Sequence, residues 1–263
     1  MRLADIRLYP IKSLDGVSVP SARFARGGGL EHDRVYALFD TEGNHVNGKR
    51  EPRIQRIRST FAADFTAVTL AAEGFATATI PFADTAELEG WFSTYFGKSV
   101  CVRHDPERGF PDDTESPGPT VIARETLAEF ASWFPGLTAE EMLRRLRANL
   151  VLEGGGPFAD DRLFGPPGLR VSFSIGDVEL WGNNPCQRCP VPTRDSFTGE
   201  ALPRFQKTFA DRRDAALPAW TDRGRFNHYY RAAVNTVTPP ASLGREVRVG
   251  DLVRLNTLCD AIE

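Results

Sequence analysis

The segment "LRVSFSIGDVELWG", Leu169–Gly182, carries the clearest indication of β-structure in the chain. Apolar and polar residues alternate on both sides of Gly176-Asp177, which is the pattern of two half-buried strands joined by a tight turn. The segment "REVRVGDLVRL", Arg245–Leu255, repeats the order strand, Gly-Asp, strand. These two segments predict that the C-terminal part of the chain is built mainly from antiparallel β-structure.

The first hundred residues also indicate short strands. Ala4, Ile6 and Leu8 alternate with polar neighbours, which predicts a half-buried strand at the start of the chain. The run 34–40 is apolar and is followed by the turn "TEGN", so a hairpin into 45–50 is expected. A second hairpin is predicted in Phe65–Ile80.

Helix signals are few. Asp84 can cap a helix that ends at Gly97, and Thr138 can cap another. A Pro-, Gly- and acid-rich segment, Pro106–Pro119, reads as a linker or long surface loop. We therefore predict an α+β fold that is mainly β. An N-terminal α+β, β-barrel-like module at 1–110 precedes a closed or nearly closed β-barrel decorated with helices at 111–263.

Composition bounds the class of protein. The chain has 263 residues with 41% hydrophobic and 25% charged residues, which is typical of a globular protein. Its formal net charge of −3 gives no general attraction to nucleic acid or to an anionic membrane. The N-terminal segment contains Asp5 and no long apolar run, so neither a signal peptide nor a membrane anchor is expected. Four cysteines without a disulfide-like framework favour a cytoplasmic location.

The cysteine pair Cys186 and Cys189 lies in "NNPCQRCPVPTRDSFTGE" and is open to several interpretations. A structural zinc site needs further paired ligands, and the four histidines lack zinc-binding spacing. A redox dithiol usually opens a helix, which Pro190 and Pro192 disfavour. Two buried, inert thiols are also consistent with the spacing. Arg188 favours a thiolate, so one thiolate that binds a soft metal is the interpretation that suits this loop best.

Several basic segments could hold an anion. Each of them alone is more typical of a solvated face or an ordinary salt bridge. Arg147 and Asn149 are two residues apart before a buried strand and would point the same way, so with Arg188 they could converge on a phosphate. No Walker A or G-x-G-x-x-G motif is present. The other candidates from these segments are Lys12, Ser13, Arg34 and Lys49.

Three segments together resemble the MOSC-domain family, and within it the amidoxime-reducing proteins and their bacterial homologues. "CQRCPVPTRDSFTGE" is similar to the family's cysteine segment, and "RLRANLVLEGGGPFADD" to its R-x-R-x-N segment. "LYPIKSLDGVSV" is similar to the start of its N-terminal β-barrel module. The motifs occur in the family's order and extend over nearly the whole chain, so the resemblance is far more specific than a C-x-x-C alone.

The resemblance implies a molybdenum cofactor, a pyranopterin with a terminal phosphate. Cys189 matches the family's metal ligand and catalytic cysteine, whereas Cys186 matches a position without a ligand role. Asp195 matches a turn residue that could carry a proton, and Tyr229 a tyrosine near the cofactor. Asn47-Gly48-Lys49 replaces a Thr-x-Arg of the amidoxime-reducing proteins. The positions that match contacts to pterin or phosphate, or lie beside them, are Lys12, Ser13, Arg34, Lys49, Arg147, Asn149 and Arg188.

The implied activity is reduction of N-oxygenated compounds such as hydroxylamines, amidoximes and N-hydroxylated bases. Cys259 cannot supply an iron–sulfur cluster, so no such cluster is expected in this chain. Electrons would then come from a separate ferredoxin- or cytochrome b5-type protein with its reductase. The other expected partner is a small-molecule substrate, with no role for nucleic acid. An alternative implied by the family is a protein that binds or delivers the cofactor, or carries sulfur to it, without turning over a substrate.

Overall fold

The computed structural model describes residues 1–260, which contain four α-helices and fifteen strands. The helices are α1 (Thr85–Phe96), α2 (Arg124–Ser132), α3 (Ala139–Leu146) and α4 (Phe205–Ala215). The strands are β1 (Arg2–Leu8), β2 (Val17–Ser18), β3 (Ser21–Arg23), β4 (Tyr36–Phe39), β5 (Arg58–Phe61), β6 (Ala67–Ala71), β7 (Ala78–Pro81), β8 (Cys101–His104), β9 (Val121–Ala123), β10 (Leu150–Glu153), β11 (Leu169–Ile175), β12 (Val178–Gln187), β13 (Arg231–Val237), β14 (Glu246–Arg248) and β15 (Val253–Asp260). The predicted fold class, α+β and mainly β, is confirmed.

One sheet of eight strands dominates the molecule, in the order β15-β11-β12-β13-β9-β10-β1-β2. All its pairs are antiparallel except β9 with β10. The hairpin predicted around Gly176-Asp177 is present, with Ile175 opposite Val178 and Val171 opposite Gly182.

The sheet closes on itself, because β1 contacts the segment that precedes β15. Arg2 forms an antiparallel bridge with Leu252. The Leu3 N–H donates to the Asp251 carbonyl at 2.8 Å, and the Val253 N–H donates to the Met1 carbonyl at 2.9 Å. Inward-facing apolar side chains from both ends of the chain share one buried core inside this barrel. Because β1 lies between β10 and β2, this first strand belongs structurally to the barrel, and Ala22, Phe24 and Leu30 pack in the same core. The division at residue 110 stays a prediction.

Two strand partners differ from the sequence-based expectation. The arms on either side of Gly250-Asp251 do not pair with each other, because β14 pairs with β3 and β15 pairs with β11. The strand β4 pairs with β8 and shares only the bridge Phe39 to His45 with the predicted hairpin arm. In both cases the local turn forms, but the strand beside it pairs with a strand that is distant in sequence. Local patterns identify strands and do not choose their partners.

The alternation predicted for the first strand is interrupted. A β-bulge between Leu3 and Asp5 shifts the register, so that Leu3 and Ile6 are both buried while Ala4 is only half-buried. An extra residue in one strand changes which face the following side chains occupy.

The N-terminal module has its own core, formed by residues from Ile11 to Val102. Its helix α1 begins and ends where predicted. The Asp84 side chain accepts a hydrogen bond from the Glu87 N–H, and Gly97 ends the helix in the left-handed conformation. The hairpin predicted in Phe65–Ile80 is also present, as β6 and β7.

A third core packs α2, α3 and α4 against the outside of the barrel. Thr138 caps α3 as predicted, by accepting from the Glu141 N–H. Helix α4 was not predicted; its buried side chains are Phe205, Phe209 and Arg213, so a cation occupies one of its core positions. No helix within residues 1–260 has the length and apolar character needed to cross a bilayer.

Candidate functional site

A basic pocket lies between four parts of the molecule. They are the N-terminal module, the loop 108–120, the end of α3 and the segment 188–193, which is called the cysteine loop below. Seven Lys or Arg residues line it, against three Asp residues. An excess of cations around one cleft favours an anionic ligand. The predicted residues that line it are Lys12, Ser13, Arg34, Lys49, Arg147, Asn149, Arg188 and Cys189, and Cys186 joins them.

Three of these lining residues adopt a left-handed backbone. The φ angles are 74° at Ser13, 54° at Arg34 and 57° at Arg147, and none of the three is glycine. Such a conformation costs about 1 kcal/mol or more in a residue with a Cβ atom. Arg147 takes it because it ends α3, where its N–H donates to the Leu143 carbonyl at 2.7 Å. Strained residues gathered around one pocket indicate a functional role for their side chains.

Arg34 and Arg147 are held against the buried ring of Tyr9. Their guanidinium carbons lie 5.0 Å and 4.1 Å from the ring centroid. Arg34 also forms an ion pair with Asp33, and its Nη2 donates to the Arg147 carbonyl at 3.0 Å. Burial lowers the pKa of Arg147, and the nearby charge of Arg34 lowers it further, while Tyr9 opposes this effect. The two arginines therefore repel each other in the free pocket, and an anion would relieve that repulsion.

Asn149 is 2% exposed and makes its hydrogen bonds within the protein. Its Nδ2 donates to the Arg7 carbonyl at 2.9 Å, and its Oδ1 accepts from Arg34 Nη1 at 3.2 Å. The same Oδ1 accepts from the Thr120 N–H at 3.3 Å. Asn149 thus fixes the position of Arg34 and of the loop before β9.

Lys12 and Asp112 join the N-terminal module to the long loop. The Lys12 Nζ lies 2.8 Å from an Asp112 carboxylate oxygen and donates to the Phe110 carbonyl at 2.7 Å. Burial lowers the pKa of Lys12, which Asp112 partly offsets. Burial alone would raise the pKa of Asp112, but Lys12, Arg34 and Lys49 lower it overall. The segment predicted as a linker or surface loop is irregular, but it forms one wall of the pocket. No sequence pattern marks Asp112, which is one of several acidic residues in this segment.

The cysteine loop follows β12. After Cys189 the prolines allow only a short 3-10 turn, Val191–Thr193, and no α-helix begins there. Arg188 Nη1 donates to the Cys186 Sγ at 3.1 Å, and its Nη2 donates to the Leu146 carbonyl. Burial would lower the pKa of Arg188, but Cys186 and Cys189 raise it overall. Its Nε is buried and has no acceptor among residues 1–260, so Arg188 keeps one donor for a ligand.

Arg145 lines the pocket although sequence reasoning did not select it. Its Nε donates to Glu141 at 2.7 Å, and its Nη2 lies 3.4 Å from the Asp195 carboxylate. Asp195 itself is not among the lining residues. Its Oδ1 accepts from the N–H groups of Phe197 and Thr198 at 2.9 Å each, which stabilises the turn. The spacing of Glu141 and Arg145 on a helix was the available signal.

Tyr229 also lies outside the residues that line the pocket. Its ring stacks on Phe226, and its hydroxyl accepts from Arg223 Nη2 at 2.8 Å. The neighbouring Tyr230 is 2% exposed and interacts electrostatically with Arg188 and Cys189. Burial raises the pKa of Tyr230, the charge of Arg188 partly opposes this increase, and Cys189 adds to it. A role for Tyr229 near the cofactor stays a prediction, as does the role of Asp195.

The donor set at the pocket limits the kinds of metal chemistry. Among residues 1–260, no three His, Cys, Asp or Glu side chains form a cluster that could hold a metal ion. The lining nevertheless combines thiols with several cations and a strained backbone. This set suits an anionic ligand that lies beside the thiols.

Comparisons with known proteins identify the family. The MOSC N-terminal beta barrel domain matches residues 1–99, and the MOSC domain matches residues 120–254. The chain is 27% identical over 237 residues to mitochondrial amidoxime-reducing component 1 of Mus musculus, covering 75% of this chain and 66% of that protein. The Homo sapiens protein of the same name is 26% identical over 239 residues, covering 75% and 67%. The molybdenum cofactor sulfurase of Drosophila grimshawi is 24% identical over 240 residues, covering 80% of this chain but 30% of that protein.

Proposed function

The chain belongs to the MOSC-domain family, and on that premise we propose that its basic pocket binds a molybdenum cofactor. The cofactor is a pyranopterin that carries a phosphate, and Cys189 supplies the protein ligand to the metal. The observation that carries this proposal is the convergence of Cys189 and Arg188 with Lys12, Arg34 and Arg147 in one cleft.

The residues of the pocket fit such a group. The lining cations outnumber the carboxylates, which suits a phosphate. Arg188 Nε and Arg147 Nη2 are buried donors without an acceptor among the described residues, so both can bind oxygen atoms of a ligand. The Cys189 thiolate is a soft ligand of the type that molybdenum–dithiolene chemistry accepts.

Side chains of the pocket bind the cofactor and hold it in position. Arg34 and Arg147, fixed against Tyr9, bind and orient the phosphate. Lys12 is held by Asp112 at the mouth of the same cleft and adds a further positive charge. Arg188 orients the cysteine loop by donating to the Leu146 carbonyl and to the Cys186 Sγ. When bound, the cofactor supplies a redox centre able to reduce an N–O bond.

The activity we propose is reduction of N-oxygenated small molecules, such as hydroxylamines, amidoximes and N-hydroxylated bases, with electrons from a separate donor protein. Relatives named as amidoxime-reducing components match 75% of this chain and support the proposal. The donor would be a ferredoxin- or cytochrome b5-type protein with its own reductase.

A second candidate is a protein that delivers the cofactor or carries sulfur to it. Two observations favour it. Relatives named as molybdenum cofactor sulfurases match 80% of this chain. Two thiols, Cys186 and Cys189, line the same pocket, and a thiol at such a position could carry a persulfide.

Elemental analysis for molybdenum, together with fluorescence of the oxidised pterin, tests cofactor binding independently of activity. Protein purified from a host that makes the cofactor should contain both. We expect Cys189→Ala to lose most of its molybdenum and all turnover, while the matched variant Cys186→Ala keeps both in substantial part. Equal losses in the two variants would contradict the assignment of Cys189 as the ligand.

Activity measured with an artificial electron donor separates the two candidate functions. Reductase function predicts turnover of a model amidoxime by the molybdenum-loaded protein. Loaded protein without turnover, combined with a persulfide on Cys189 detected by mass spectrometry, would instead support the sulfur carrier.

A further inference from the structure

We propose that a second cavity, which shares Arg147 with the basic pocket and is called the rear cavity below, is a binding site for a phosphate group. This rear cavity has a volume of about 60 Å³ and is lined by Arg7, Arg58, Arg144 and Arg147 together with Asp15 and Ser196. By the usual measure, a single water needs roughly 10–15 Å³ of such space. The rear cavity therefore has room for a tetrahedral oxyanion.

The rear cavity carries an excess of positive charge. Arg7 is neutralised by Asp5 and Glu140, with N–O distances of 2.8 and 3.0 Å. Arg58 and Arg144 share one carboxylate oxygen of Asp15, at 3.4 and 4.0 Å.

Arg147 adds a positive charge that no carboxylate within residues 1–260 approaches to salt-bridge distance. Burial lowers the pKa of Arg58, Asp15 raises it, and the nearby charge of Arg144 lowers it further. Asp15 thus pairs with Arg58 and Arg144, Glu140 also approaches Arg144 at 4.0 Å, and Arg147 has no carboxylate at this distance within residues 1–260, so a bound anion would balance the remaining charge.

Hydrogen-bond donors in the rear cavity are left without acceptors. Arg58 Nε and Arg147 Nη2 are buried and make no hydrogen bond among residues 1–260, and Arg58 Nη1 and Arg144 Nη1 only approach Asp15 at ion-pair distance without a hydrogen bond. A buried N–H that lacks a partner destabilises the fold, more so when the group is charged. Three guanidinium groups that line one small space, each with a nitrogen that makes no hydrogen bond within residues 1–260, match the several acceptor oxygens of a phosphate.

The arginines are held in place before any ligand binds. The ring of Phe197 lies between Arg58 and Arg144, with centroid-to-carbon distances of 4.8 and 4.7 Å. Arg58 Nη2 donates to the Ser196 carbonyl at 3.0 Å, and Arg147 Nη1 donates to the Leu14 carbonyl at 2.5 Å. Preorganised donors lose little freedom on binding, which favours affinity for a small ligand.

The rear cavity adjoins the basic pocket, because Ser13, Gly48, Arg147 and Val191 line both. Two sources of a phosphate group are therefore within reach. One is free inorganic phosphate, and the other is the terminal phosphate of the cofactor proposed above. The inference itself does not require that cofactor, since it rests on Arg58 and Arg144, which do not line the basic pocket.

Isothermal titration calorimetry with inorganic phosphate tests the site, first on protein without molybdenum. We expect saturable binding to the wild type, and binding at least about tenfold weaker in Arg58→Gln and in Arg144→Gln, since each removes charged hydrogen bonds. Arg124→Gln is the matched control, because Arg124 is an exposed arginine paired with Glu153 away from the cavity. It should bind as the wild type does.

Protein loaded with molybdenum distinguishes the sources. Binding of phosphate to both forms indicates a site for the free ion, whereas loss of binding on loading indicates that the cofactor's phosphate occupies it. The proposal is overturned if the wild type without molybdenum shows no saturable binding, or if both variants bind phosphate as tightly as Arg124→Gln. Circular dichroism of each variant checks that it is folded. The titration of protein without molybdenum tests the rear cavity whether or not the protein binds the cofactor or reduces a substrate.

Discussion

Buried arginines occur in two regions of this protein, and their surroundings differ. In the helical layer, Arg213 is 2% exposed, and its Nη2 donates to both carboxylate oxygens of Asp161 at 2.6 and 2.7 Å. Thr221 donates to the same carboxylate at 3.0 Å, and the guanidinium lies against the rings of Phe158 and Phe226. Around the two cavities, by contrast, Arg58, Arg144, Arg147 and Arg188 line open space that a ligand could occupy.

The contrast separates arginines that hold the fold from arginines that are available to a ligand. Arg213 is matched by a buried carboxylate and covered by aromatic rings, so removing it would leave a charge alone in the core. The cavity arginines face other cations with too few carboxylates, so removing one relieves repulsion while it removes a ligand contact. Stability and binding should therefore respond in opposite ways in the two regions.

The largest expected effect on stability is that of Arg213→Met. This change leaves Asp161 buried without its cation and should lower the free energy of unfolding by about 3–5 kcal/mol. Urea unfolding at neutral pH measures it. The matched control is Arg212→Met, because Arg212 is the exposed neighbour on α4 and its removal should change stability by less than about 0.5 kcal/mol. Equal effects would mean that the buried pair contributes nothing specific.

Asp160 should make stability depend on pH. Burial and the adjacent Asp161 raise the pKa of Asp160 to about 7. Because the unfolded pKa is near 4 and the folded pKa about 7, Asp160 has no effect on stability below pH 4, lowers stability as pH rises from 4 to 7, and causes no further loss above 7. Between pH 5 and 7 we expect a loss on the order of 2 kcal/mol.

The variant Asp160→Asn should remove that loss, so its stability should exceed the wild-type value at pH 8. Urea unfolding at several pH values checks this, with Asp211→Asn as an exposed control on α4. The same pH slope in wild type and Asp160→Asn would contradict the prediction.

Arg188→Met should separate binding from stability. Within residues 1–260 its hydrogen bonds go to the Cys186 Sγ and the Leu146 carbonyl and to no carboxylate, so its loss leaves no buried charge unpaired and we expect the free energy of unfolding to change by no more than about 1 kcal/mol. Molybdenum content should nevertheless fall at least about tenfold, because a charged contact to the ligand is lost. A large loss of stability, as predicted for Arg213→Met, would place Arg188 among the arginines that hold the fold.

The smallest effect is expected at Phe197, which is 51% exposed between Arg58 and Arg144. Cation–π contacts at exposed sites contribute about 0.5–1 kcal/mol. Phe197→Leu should lower stability by roughly that amount, whereas Phe197→Tyr keeps the ring and should match the wild type. Thermal unfolding compares the two. If Leu and Tyr behave alike, the ring does not hold the two arginines.

Local patterns predicted what depends on neighbouring residues. The hairpin at Gly176-Asp177 and the caps at Asp84 and Thr138 formed as predicted, because each is decided within a few residues. Family motifs also selected many residues that line the basic pocket, although their roles remain predictions.

Contacts between distant segments could not be predicted in this way. Lys12 pairs with Asp112, and Arg145 lies near Asp195, although nothing in either local sequence marks the partner. Helix α4 was missed because a buried cation, Arg213, stands where an apolar residue would have completed the pattern. The rear cavity depends on Arg58 and Arg144, which come from a strand and a helix far apart in the chain.

The sequence by itself determined the α+β class, the turns and caps, and the loop in which prolines keep Cys189 outside a helix, because these depend on backbone preferences over a few residues. The folded molecule alone reveals that β1 closes the barrel, that Asp112 forms an ion pair with Lys12, and that arginines line two adjoining cavities. Those features depend on which distant surfaces pack together. The net charge of a cavity can be assessed only when all the side chains that line it are known.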